Sequence, residues 1–174
     1  MATFPLYQPE FGWRLPRTHE SDVDLPYYRF VKLGKTNGSS PEKYITLAGV
    51  GDTPIGVVIP EVGRDMMVQA DTSGYGDGMM PRTGYVTGKD YPQIHIAGVV
   101  HVIASTGVIA GEYAVVTANG KAGPFTPQSI PASGGTVMTQ AQLVAMRDEN
   151  NLIAGVFLDS GSSGDYVRIF MGKR

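Results

Sequence analysis

The sequence contains no cysteine, which removes disulfide scaffolds, thiolate metal sites and cysteine nucleophiles from consideration. It has no surplus of positive charge: 14 Lys and Arg stand against 16 Asp and Glu, a net charge of −2, where nucleic-acid-binding domains usually carry a basic excess. No stretch approaches the roughly 18–20 apolar residues that cross a bilayer as a helix, and the first residues lack the basic start and apolar run of a signal peptide. Charged residues make up only 17%, too few for a coiled coil or helix bundle built on Ala, Glu, Lys and Leu. Instead there are 23 glycines, 12 prolines and 42% hydrophobic residues in 174. That combination forms a core with many turns, and the length fits one domain, or one domain with an arm.

The composition shifts near residue 27. Residues 1–26 hold Pro5, Pro9, Pro16 and Pro26 together with Phe4, Tyr7, Phe11 and Trp13. Prolines at that density forbid a long helix and favour extended backbone, while aromatics are scarce in disordered tails. The segment therefore reads as an extended N-terminal arm that becomes ordered against a surface, either a partner's or its own domain's. Burial of its aromatics and the entropy of fixing its backbone are of similar size, so the arm needs additional contacts to stay in place. Arg14 and Arg17 supply charge for pairing with acidic groups.

From residue 27 to 174, short apolar runs alternate with turn signals. Strands are expected at Tyr27–Leu33, Tyr44–Leu47, Ile55–Ile59, Met66–Ala70, Ile94–Ala97, Val99–Ala104, Tyr113–Thr117, Ile153–Leu158 and Tyr166–Met171. In the first of these, alternation places Arg29, Val31 and Leu33 on one face and Tyr28, Phe30 and Lys32 on the other. Long loops are expected near 71–92 and 123–138. A single helix is expected over Gln140–Asn150, capped by Thr139. The fold class is mainly β: a compact β-barrel or jelly-roll-like sandwich of about nine short strands. A small pattern recurs three times, as Ile55-Gly56-Val57, Ala97-Gly98-Val99 and Ala154-Gly155-Val156. Its unequal spacing excludes a solenoid, and glycine in a strand marks a bend, a bulge or a close backbone approach.

Signs of catalysis are weak. His95 and His101 would share a face if one regular strand joined them, but Gly98 lies between and no carboxylate stands at a ligand spacing, so structural histidines outweigh a metal site. Gly161-Ser162-Ser163-Gly164 lacks the spacing of a nucleophile elbow and reads as a hairpin loop. The run Asp71–Gly78 fails the EF-hand order. Neither a P-loop nor a dinucleotide-binding glycine motif occurs. The chain is read as a non-enzyme without cofactor or metal.

Several blocks resemble the capsid decoration (cement) proteins of tailed bacteriophages. They are Arg29-Phe30-Val31-Lys32-Leu33, Ile45 through Val57, Gly98-Val99-Val100-His101-Val102, Ile109 through Ala122, and Gly155 through Ile169. The resemblance spans roughly residues 29–171 and consists of turn-and-strand text. It implies an inert β body on the outer surface of a virion capsid, bound where major capsid subunits meet and assembled as a homotrimer, with a homodimer as the second arrangement. On that reading the partner-binding residues are Phe4, Tyr7, Phe11, Trp13, Arg14 and Arg17, and neither nucleic acid nor membrane is a partner. The alternative is a non-enzymatic tail, fibre or glycan-binding module using Tyr75, Tyr85 and Tyr91.

Overall fold

A computed structural model describes residues 14–15, 18–36, 40–41, 43–60, 85–126 and 151–172 in full, and the backbone of 12–13, 66–69 and 78–81. In chain order the strands are β1 Gly12–Leu15, β2 Glu20–Ser21, β3 Leu25–Pro26, β4 Phe30–Leu33, β5 Tyr44–Leu47, β6 Gly56–Ile59, β7 Met66–Gln69, β8 Gly78–Pro81, β9 Tyr85–Val86, β10 Gln93–Ile103, β11 Tyr113–Val116, β12 Ala122–Pro124, β13 Ile153–Phe157 and β14 Tyr166–Met171. A short 3-10 turn covers Ala118–Gly120. The mainly β class follows directly from this list.

Ten strands form one sheet in the order β12-β11-β13-β14-β10-β6-β4-β5-β2, with β1 also pairing to β10, while β3-β9 and β7-β8 form two small sheets. The large sheet curls. The end of β10 reaches β12 through a parallel bridge between Ala104 and Ala122, and the Ser105 amide donates to the Ala122 carbonyl at 2.7 Å. Strands β12, β11, β13, β14 and β10 thus enclose a small barrel. Inside lie Val100, Val102, Ala114, Val116, Phe157, Val167, Ile169 and Met171, joined by Phe30, Val57 and Ile59. A second core, of Leu25, Tyr27, Tyr28, Val31, Ile45, Val58, Val86 and Ile94, packs on the opposite face of β4 and β6. Strand β6 is therefore buried on both faces, which is why it reads as an unbroken apolar run rather than an alternating one.

Several expectations are corrected. Tyr28 has φ 61°, so the regular strand begins only at Phe30 and Tyr28 joins the core of Val31 instead of Phe30's side. The two strands expected around Gly98 are one, β10. Gly98 has φ 101°, a backbone state open to glycine, and it shifts the alternation by one residue. Ile94 belongs to the second core, yet Val100 and Val102 point into the barrel. His95 and His101 consequently fall on opposite faces despite their even spacing. The stretch 71–92 holds β8 and β9, and the loop expected from 123 begins after β12. Strands this short contain too few residues to show a period.

Residues 12–26 are extended, and their three strands pair with body strands: β1 with β10, β2 with β5 and β3 with β9. Ser21 and Leu25 are fully buried. Among the described residues this portion is thus built into the body's sheets and does not stand apart at residue 27. The helix expected at Gln140–Asn150 lies outside the described residues.

Candidate interaction surface

In β14 the burial alternates strictly, with Val167, Ile169 and Met171 inward and Tyr166, Arg168 and Phe170 outward. Directly opposed residues of an antiparallel pair point to the same face, so the pairings lay out the outer surface in rows. Tyr113 faces Val156, Val156 faces Phe170, and Phe170 faces Val99. This is one apolar row across β11, β13, β14 and β10. The next row runs from Leu158, whose amide donates to the Arg168 carbonyl at 2.8 Å, through Arg168 to His101. The third pairs Tyr166 with Ile103.

Large apolar side chains stand exposed on this layer: Tyr113 at 38%, Leu158 at 41% and Phe170 at 50%. Ile109, at 62%, occupies a turn tied to the β13–β14 hairpin by Ala110 N–H to Ser160 Oγ at 3.0 Å and by the Val108–Gly161 bridge. Half of the eight exposed large apolar residues among the described ones therefore collect here. Contiguous exposed apolar surface of this kind marks an interaction site.

The charge within the patch is held in place. Asp159 accepts from Arg168 Nε at 2.8 Å, Nη2 at 2.7 Å and the Arg168 amide at 3.0 Å. These bonds from Arg168 keep the Asp159 carboxyl below its ordinary value against the effect of burial, and they hold the guanidinium more firmly protonated. Such a fork fixes an arginine flat against neighbouring apolar groups.

At the far end of the layer Tyr166 packs edge-on against Tyr28, ring centroids 5.2 Å apart, and Tyr28 against His101 at 6.4 Å. Arg29 lies beside Tyr166. Burial lowers the Arg29 pKa, with the Tyr166 hydroxyl acting in the other direction, and burial raises the Tyr166 pKa, with Arg29 opposing it.

Of the residues singled out in the sequence, Arg14 is exposed on β1 and pairs in register with His95, and Trp13 pairs in register with Ala97. Phe4, Tyr7, Phe11 and Arg17 lie outside the described residues, as does Tyr75. Tyr85 and Tyr91 are exposed at 42% and 45%. They flank a turn pinned by Ser21, whose Oγ lies 3.0 Å from both the Thr87 and Asp90 carbonyls. Sequence reasoning missed Tyr113, Leu158 and Phe170 as a surface. The alternation of Tyr166–Met171 gave the only available clue, an outward phenylalanine, and the register that joins it to Tyr113 cannot be read from one strand.

A shallow groove of about 280 Å³ lies elsewhere, between the turn at Val50–Asp52 and Val116, Phe125 and Leu152. Its titratable lining group, Asp52, is engaged by Lys32 at 2.8 Å. Among the described residues no group of three His, Asp or Glu is placed to hold a metal ion.

No family model matches the sequence, and no curated protein matches it. Among solved structures, the chain is similar to the N base of the head fiber gp8.5 of bacteriophage phi29, with 11% identity, 92% of this chain and 93% of that chain covered, and a TM-score of 0.49. A likeness of that extent and identity bears on neither partner nor activity.

Proposed function

We propose that this chain is a non-enzymatic structural protein of a phage virion. It decorates the outer surface of the capsid and stabilises it by clamping adjacent major capsid subunits. The observation that carries the reading is the exposed apolar row Tyr113–Val156–Phe170–Val99, bordered by a fixed arginine. Apolar groups ringed by polar ones, with Tyr, Phe and Arg prominent, form the core of protein–protein interfaces. The block resemblance to decoration proteins supports a capsid as the partner, because its closing block, Gly155 through Ile169, covers much of β13 and β14 and the turn between them.

The first eleven residues supply the second grip. Phe4, Tyr7 and Phe11 precede Gly12, which pairs with Gly98 beside Met171 at the margin of the same layer. Two weak attachments on one body reinforce each other through effective concentration. A homotrimer at a threefold position multiplies them further.

The test is occupancy of heads assembled without this protein, counted by electron microscopy after addition of the purified chain. Phe170→Lys should lower occupancy by about tenfold or more, the scale of one interface hot spot. Deletion of residues 1–11 should lower it independently. Full occupancy by a chain carrying both changes defeats the clamp.

A further inference from the structure

The guanidinium of Arg29 has an unmet need. Its Nε and Nη1 are shut off from water and meet no hydrogen-bond acceptor among the described residues, whereas Nη2 is not among the shielded atoms. Arginine stays charged at any physiological pH and offers donors only. A buried donor without an acceptor forfeits its hydration, and a buried charge without a counter-ion forfeits more. Native proteins leave few such groups, and each needs a cause.

Position supplies the cause. Arg29 adjoins Tyr166, which is the outward residue two places from Arg168 and four from Phe170 on β14. Arg29 therefore lies at the border of the apolar face. Arg168 differs from it in the decisive respect, since Asp159 already satisfies it. The charge available to a partner on this face is Arg29's.

We infer that Arg29 is the receptor for a carboxylate, an aspartate or glutamate side chain or a free chain end, presented by the partner protein that covers the apolar face. Nη1 and Nη2 form the end-on edge of the guanidinium, and a carboxylate takes both in parallel. Tyr166 and Tyr28 provide the low-dielectric wall that strengthens the pair once water is expelled. The occupant thus has defined chemistry: an apolar side chain for the row at Phe170 and an acidic group for the Tyr166 end. The inference rests on the proposed interface but adds the partner's charge, and it separates stability from binding.

Arg29→Met keeps the apolar stem and removes the unpaired cation. The free variant should melt at or above the wild-type temperature, because replacing a buried unpaired charge by a hydrophobic group of similar length is neutral or stabilising. Its affinity for heads lacking the protein should fall by about thirtyfold or more, with Arg29→Lys intermediate because an ammonium lacks the planar fork. Acetate serves as the bare probe: at equal ionic strength it should raise the wild-type melting temperature above that in chloride, and leave Arg29→Met unmoved. A variant that melts clearly lower would mark Arg29 as a structural partner within its own chain and overturn the inference, as would wild-type affinity for heads. Should wild-type protein fail to bind heads at all, the virion reading falls, while the acetate comparison still decides whether Arg29 is a carboxylate receptor.

Discussion

Glycines in the recurring pattern show how single atoms shape this molecule. A Cβ on Gly155 would lie 2.4 Å from the Phe170 carbonyl oxygen, and one on Gly56 would lie 2.4 Å from the His95 carbonyl oxygen. Both obstacles are backbone of the neighbouring strand, which cannot move without breaking the sheet. Gly155→Ala and Gly56→Ala should each destabilise by about 1–3 kcal/mol, the range of overpacked cores. Urea unfolding would register this as a lower midpoint at unchanged slope. A midpoint equal to the wild type would mean that the strands part without cost. Asp52 makes a smaller contribution. Burial pushes its carboxyl up, but the hydrogen bonds from Lys32 and the Gly49 amide prevail and hold it below the ordinary value of 3.8. A depressed folded-state value stabilises above the unfolded one, and that stability is lost as pH falls through the folded value. Asp52→Asn should therefore be less stable than the wild type at pH 6, with the gap closing below pH ~4. Because the pair is about one-third exposed, the gap should stay below about 1 kcal/mol. Thermal unfolding at the two pH values measures it.

Elements differ in how plainly the chain announces them. Tyr166–Met171 was legible to the residue because one face is core and the other is surface, giving a clean period of two. β6 was legible as a run because both faces are core. β2, β3 and β9 have two residues each and carry no period at all, so only their partners define them. The phase change at Gly98 was half visible: the glycine marked an irregularity, but whether it ends a strand or slips it depends on pairing with β14 and β1. The outer patch was the least legible part, since its row joins residues 57 apart at Gly98 to Gly155 only through register. These elements also refine where the leading segment can be cut. Removing residues 1–11 leaves all three early strands intact and should keep the melting temperature within about 2 °C, whereas removing residues 1–21 strips β1 from β10 and β2 from β5 and takes out the fully buried Ser21. The longer deletion should lower the melting temperature by several degrees, about 2–4 °C per kcal/mol lost. Equal melting of the two truncations would show that β1 and β2 add nothing to the body.

At the scale of the whole molecule, one face must serve either the capsid or another copy of the chain, and the two uses predict different behaviour in solution. Stable interfaces bury roughly 800 Å² per partner, and a single row of four side chains is smaller than that. The row therefore suits an attachment that relies on the leading segment and on repetition around a symmetry axis, rather than a lasting contact between two free copies. If the copies meet elsewhere, Phe170→Lys should leave the sedimentation coefficient of the free protein unchanged while its head occupancy collapses. If Phe170 lies between copies, the same substitution should shift sedimentation to the monomer, and binding would be lost only as a consequence. Sedimentation velocity on the variant, run beside the occupancy count, separates the two. The expected result is an unaltered assembly that no longer holds the shell, because Arg29 lies at the border of the same face with an unfilled need for an acidic partner.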